Sequence, residues 1–150
     1  MAVKQENEVM HVFNRLNLLV VCTVALLGVI GCGKKEVSNR RVFFSEPKEG
    51  VEIKGPVKVV MSVEGIEIKP AGEVVEGSGH HHILVNRNFT PAGQVIPTDD
   101  SHKHFGKGET EAVLELPPGK HKLTLQFADG LHRSYGKELS ATVNISVTSK

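Results

Sequence analysis

A chain of 150 residues with 18 Lys and Arg against 17 Asp and Glu has a net charge of +1, and no basic excess with which to hold a phosphate backbone. With no Trp, one Tyr and two Cys, it is poorly supplied for stacking bases or sugars and for a disulfide framework. It does carry eight His. Five of them fall in two tight clusters, His80-His81-His82 and His102-Lys103-His104.

The first elements are an address. Lys4, His11 and Arg15 precede an apolar run of about thirteen residues, Leu18 to Ile30. A spanning helix needs roughly 20 apolar residues, whereas a secretory h-region needs about 7–15. An uncleaved short anchor is therefore disfavoured. Met1 and Met10 both serve as possible starts; Met10 gives the more ordinary charged segment. The run closes on Val29-Ile30-Gly31-Cys32, which resembles the lipobox of bacterial lipoproteins. The resemblance implies that residues 1–31 are removed as a signal peptide and that the Cys32 thiol takes the lipid. Residues 32–40 then form a polar tether, and 41–150 a single domain. The expected location is extracytoplasmic, anchored by lipid to a bacterial membrane. Gly33-Lys34 after the cysteine implies the periplasmic face of the outer membrane in a host with two membranes. Cys22 would leave with the signal and Cys32 would be blocked, so no thiol would remain for a metal.

From Arg41 onward the pattern predicts strand after strand. Arg41–Phe44 is a short apolar run, closed by the turn composition Glu46-Pro47-Lys48-Glu49-Gly50. Residues 57–63 alternate, with Val57, Val59, Met61 and Val63 on one face. His81–Val85 is a compact apolar run entered through Gly77-Ser78-Gly79. Residues 109–116 place Ala112, Leu114 and Leu116 inward, and Pro117-Pro118-Gly119 makes a turn. Residues 121–127 place Leu123, Leu125 and Phe127 inward; residues 141–147 do the same with Ala141, Val143, Ile145 and Val147. No helical period appears after the signal. Short strands with one apolar face need a second sheet to cover it. The expectation is an all-β, immunoglobulin-like sandwich of about seven short strands, with a small barrel as the other closure. The longest irregular segment, Asn86 to Gly108, is long enough to be functional or mobile.

Imidazole is the commonest protein metal ligand. Period-two alternation places His80 and His82 on one face and His81 on the other, with Ile83 and Val85. His102 and His104 likewise share a face, in the His-x-His spacing common at metal sites. Asp99 and Asp100 lie just upstream, where a carboxylate can orient a ligating ring or bind the ion itself. His132, after the Asp129-Gly130 turn, is a further candidate. The candidate metal residues are thus His80, His81, His82, Asp99, His102, His104 and His132. His121 reads as an ordinary strand residue. Met61 is placed in the core, so soft Cu(I) capture is not expected; imidazole with carboxylate suits Zn(II), Cu(II) or Ni(II). There is no Gly-x-Ser-x-Gly elbow, no His-Glu-x-x-His and no phosphate-cradling glycine loop. His102-x-His104, Glu109 and Pro117-x-Gly119-x-His121 only loosely echo the cupin metal motifs.

Three stretches taken together resemble one family: Gly79-His80-His81-His82-Ile83-Leu84-Val85; Ile96-Pro97-x-Asp99-x-x-His102-x-His104-Phe105-Gly106-Lys107-Gly108; and Leu114-x-Leu116-x-Pro118-Gly119-x-His121-x-Leu123-x-Leu125. It is the bacterial extracytoplasmic family catalogued as domain of unknown function 4399, and the resemblance runs from about Val42 to Val147. It implies a small secreted or lipid-anchored domain and assigns no activity. One common variant has a second histidine in the segment around Asp129; Leu131-His132-Arg133 keeps one. The reading favoured is a binding module for Zn or Cu(II), with a metal-dependent enzyme as the least favoured reading. The alternative is a non-catalytic structural or protein-interaction module of the cell envelope whose histidines order a loop. The expected partners are a membrane, through the lipid, and an envelope protein; no nucleic acid is expected.

Overall fold

The computed structural model describes residues 39–149. The proposed signal, the Cys32 lipidation site and most of the tether lie outside the described residues. Among the described residues nine strands follow in chain order: β1 (Arg41–Glu46), β2 (Glu52–Lys54), β3 (Val57–Glu64), β4 (Glu67–Ile68), β5 (Ser78–Val85), β6 (His102–Phe105), β7 (Glu111–Leu114), β8 (Gly119–Ala128) and β9 (Ser140–Thr148), with one 3₁₀ turn, Lys137–Leu139, before the last. No helix among the described residues is long and apolar enough to cross a membrane.

The strands form an all-β sandwich. One sheet has the order β1-β3-β7. The other runs β2-β9-β8-β5, and the outer edge of β5 is shared by β4, parallel at Ser78–Gly79, and β6, antiparallel along 81–84. The alternation read from the sequence is what joins the sheets. Val57, Val59 and Met61 of β3 face Ile83 of β5 and Leu123, Leu125 and Phe127 of β8, and Ile145 and Val147 of β9 complete the same core. Three strands are additions to those read from the sequence: the short edge strands β2 and β4, and β6, which falls inside the segment Asn86–Gly108 expected to be irregular. The three residues of β2 and the two of β4 are too few to show a period.

The second sheet is covered on its outer side as well. Every residue of β5 from Ser78 to Leu84 is buried. The covering layer is the segment after β5, which the sequence left irregular. It is pinned to the sheet by its backbone: the Thr90 N–H donates to Gln126 Oε1 (3.1 Å), the Thr124 hydroxyl to the Arg87 carbonyl (2.8 Å) and the Ser134 hydroxyl to the Thr90 carbonyl (2.7 Å). Leu84, Ile96 and Ala128 form a small second apolar cluster under it. The fully buried Gln126 carboxamide, on the same outer face, ties down the far side by donating to the Gly136 and Leu139 carbonyls. His121 is absorbed structurally: its Nε2 donates to the Pro117 carbonyl (2.7 Å) and its Nδ1 accepts from the Asn86 carboxamide (3.2 Å).

Gly79 sets the approach of β5 to β8. A Cβ there would overlap the Ala128 carbonyl oxygen and crowd the Phe127 ring. Backbone and core ring cannot both yield. Gly79→Ala is expected to lower unfolding free energy by about 1–3 kcal/mol, the usual cost of overpacking, measured as a shift of the denaturant midpoint at unchanged slope.

Candidate metal centre

The site is built on the pleat of β5. Antiparallel pairing places His82 opposite His104 of β6, and His81 opposite Phe105. His80, His82 and His104 therefore project from the outer face of the sheet, while His81 and Phe105 project inward. His132 arrives from the turn between β8 and β9, with φ of 63°, a left-handed conformation uncommon for a residue with a Cβ.

These four imidazoles converge. Each offers one nitrogen, and the four nitrogens all lie within 4.8 Å of one another. His82 Nε2 is 3.0 Å from His80 Nε2, which is 3.1 Å from His132 Nδ1. The His104 ring lies 4.7 Å from that of His132 and 5.0 Å from that of His82, centroid to centroid. Metal–nitrogen bonds of about 2.0–2.1 Å at tetrahedral angles put ligand nitrogens about 3.3 Å apart, so the donor set needs only small adjustment to fit one ion. His80 and His82 are fully buried, His132 is intermediate and His104 exposed, so the cluster opens on the His104 and His132 side. Gly106 makes room for it: a Cβ at that position would overlap the His104 imidazole.

Electrostatics in the metal-free protein favour the neutral forms of His80, His82 and His104. Burial, then the neighbouring imidazoles of His104 and His132, pushes His80 down to about 4 against the weaker opposing fields of Asp129 and Glu109. Burial, reinforced by His80, His104, His132 and His102, takes His82 down to about 3. His104 is lowered too, by burial and by His132, with Glu109 opposing. Neutral rings hold lone pairs ready for a metal. As a hydrogen-bonded cluster the set is less well matched. The single His80 Nε2 faces two other ring nitrogens, and one position can offer only one proton or one lone pair. The Nδ1 atoms of His80 and His82 are buried without a hydrogen-bond partner. Ligating histidines usually donate that second nitrogen to a carboxylate or carbonyl, so this site departs from the usual support.

The remaining sequence candidates lie apart from the group of four. His81 sits in the core, edge-to-face on Phe127 with ring centroids 5.1 Å apart, and both its nitrogens are buried without a partner. Asp99 Oδ1 accepts from His102 Nδ1 (2.8 Å) and from the N–H and hydroxyl of Ser101 (2.8 and 2.7 Å). These bonds hold the Asp99 carboxyl well below its ordinary range, the one from His102 contributing most. Asp99 thus orients a ring, as its position suggested, but that ring is His102, outside the group. Asp129 and Gly106 were not singled out as site residues. Asp129 had been read only as part of an Asp-Gly turn, and nothing in the sequence marks Gly106 as facing a ring.

Residues 59–148 match the family model described as Domain of unknown function (DUF4399). The chain belongs to this family. The matched region holds all four converging histidines and starts after the first strand, later than the resemblance read from the sequence. No curated protein matches the chain. Among solved structures, the endo-beta-1,4-mannanase from Thermotoga petrophila is 19% identical with a TM-score of 0.45, over 77% of this chain and 21% of that one. The chain thus spans about a fifth of that enzyme, and a likeness at this level carries no argument about function.

Burial of neutral imidazoles has a pH signature. His80, His81 and His82 titrate near 6.5 when unfolded and at about 4, 4 and 3 when folded. The unfolded chain therefore binds more protons as pH falls between these values, and stability drops in that window. With a chelator present, the thermal midpoint is expected to be flat above about pH 7 and to fall progressively from about 6.5 towards 4. His81→Leu removes two unpaired buried nitrogens at similar volume, and is expected to raise the midpoint at pH 7 and flatten the slope.

Proposed function

We propose that this domain binds a divalent transition-metal ion, Zn(II) or Cu(II), through His80, His82, His104 and His132, and that it does so outside the cytoplasm, anchored by lipid on Cys32. The observation that carries the metal reading is the convergence of four ring nitrogens, drawn from three separate segments, on one point at the outer face of a sheet. An all-imidazole donor set suits Zn(II) and Cu(II). Two deeply buried ligands with two more exposed ones suit an ion that is held and exchanged, hence storage, delivery or sensing. Isothermal titration of the purified, tag-free protein with Zn(II) and with Cu(II) is expected to show saturable binding of one ion per chain. His82→Ala/His104→Ala removes half the donor set and is expected to weaken binding by a factor on the order of 100 or more. No saturable heat, or the same affinity in the double variant, overturns the reading.

The anchor reading rests on the short apolar run Leu18–Ile30 and on Gly31-Cys32 at its end. Cells expressing the chain and fed a radiolabelled fatty acid are expected to place label on the wild-type protein and none on Cys32→Ser. A membrane, and an envelope protein that supplies or receives the ion, would be the partners.

A second reading has its own support. The His132 carbonyl accepts from the Ile96 N–H (2.9 Å), and its ring contacts His80, so the cluster also fastens the covering segment to the sheet. A structural or interaction module would need no more than this. Stabilisation that survives a chelator unchanged favours it over the metal site.

A further inference from the structure

This inference rests on the metal-binding reading and concerns how its fourth ligand is held. His80, His82 and His104 are fixed by strand pairing. His132 is not on a strand, and its backbone adopts a conformation that costs a non-glycine residue energy. Something local must hold it there.

We propose that Asp129 is the positioning residue that presents His132 to the cluster. Asp129 is 8% exposed, and its carboxylate points back into its own turn. Oδ1 accepts from the backbone N–H of Leu131 (2.9 Å) and of Arg133 (2.9 Å), the residues on either side of His132. Oδ2 accepts from Arg133 Nε (2.8 Å). The main chain closes the same loop: the Asp129 N–H donates to the Arg133 carbonyl (3.0 Å) and the His132 N–H to the Asp129 carbonyl (2.9 Å). The side chain thus brackets His132 and holds its backbone in the left-handed region, from which Nδ1 reaches to 3.1 Å from His80 Nε2.

The turn is also seated from outside. The Gly72 N–H donates to the Gly130 carbonyl (2.8 Å), and a Cβ on Gly130 would overlap the Glu73 carbonyl oxygen. Only glycine fits at position 130 against the Glu73 backbone. Burial alone would raise the Asp129 carboxyl, but the bonds from Arg133 and Leu131 together outweigh it and keep the group ionised as an acceptor. Asp129 acts on the site through these backbone bonds, not by ligation.

Asp129→Ala removes the bracket; Asp129→Asn keeps an oxygen for the two N–H groups and removes the charge. In the full chain, Asp129→Ala is expected to weaken Zn(II) binding about 10–100-fold, as His132→Ala does, and the double variant to be no weaker than His132→Ala alone. The Cu(II) electron paramagnetic resonance spectrum of Asp129→Ala is expected to show one fewer nitrogen, and that of Asp129→Asn the wild-type set. A metal-free readout separates this idea from the metal reading. In chelator-treated protein, nuclear Overhauser contacts between the His132 and His80 rings are expected in wild type and Asp129→Asn and to vanish in Asp129→Ala. If wild type binds no ion, the metal reading falls and these ring contacts still decide the role of Asp129. Additive losses in the double variant, ring contacts that persist in Asp129→Ala, or a missing nitrogen in Asp129→Asn would each overturn the proposal. Should Asp129→Ala not fold, Asp129→Asn decides alone: a wild-type nitrogen set supports the geometric role, and a lost one overturns it.

Discussion

Strand β5 is buried on both faces, and its pleat sends successive histidines to opposite sides of a sheet. Inward, His81 and Ile83 join the core between the sheets; outward, His80, His82 and Leu84 meet the covering segment. A shift of one residue in the pairing with β8 would exchange these sets. The register His82 opposite Gln126 and His104 therefore decides at once which side chains fill the core and which nitrogens meet outside it. Gly79 lets β5 lie close enough to Ala128 for that register to hold. The site is a consequence of the sheet, and no loop rearrangement is needed to assemble its first three imidazoles.

Much of this was legible before any coordinates, and the part that was not has a physical boundary. Period-two alternation is local, so the inward faces of β3, β8 and β9 and the split of His81 from its neighbours could be read directly. Pairing is not local. That His104 rather than His102 stands opposite His82 depends on how β6 docks on β5, and no spacing in the chain encodes it. Both residues share a face of β6; one lies beside the cluster and the other is drawn aside by Asp99, three residues away. His132 was a candidate only by residue type, because a left-handed turn stabilised by its own aspartate carries no hydrophobic period. β2 and β4 were missed since they are too short to alternate, and β6 because its polar residues carry no apolar period.

The covering segment explains how a cluster of polar rings comes to be buried at all. A sheet face that meets solvent would hydrate the imidazoles and leave them near their ordinary titration range. Here the segment after β5 crosses that face, bonded to Gln126, Thr124 and Ser134, and excludes water from His80 and His82 while leaving His104 at the margin. The segment is long because it has a face to cover, and its order comes from backbone bonds to the sheet rather than from apolar content of its own.

That enclosure has a cost that bears on what the cluster is for. Buried polar atoms without partners oppose folding, and this domain places four such nitrogens on three successive residues of one strand. Two belong to His81, where a core-facing imidazole gains only its edge-to-face contact with Phe127. The other two are the Nδ1 atoms of His80 and His82, whose Nε2 atoms lie 3.0 Å apart and share one hydrogen bond when one of the rings carries its proton there. His80 Nε2 also faces His132 Nδ1 at 3.1 Å, and an added proton would bring a charge that burial disfavours. A divalent ion would engage the converging lone pairs together, though not the Nδ1 atoms of His80 and His82 or the ring of His81, and by binding only the folded chain would add its binding free energy to stability. The arrangement carries a folding cost in the metal-free state, and a bound ion would offset part of it, as the proposed metal-binding reading expects.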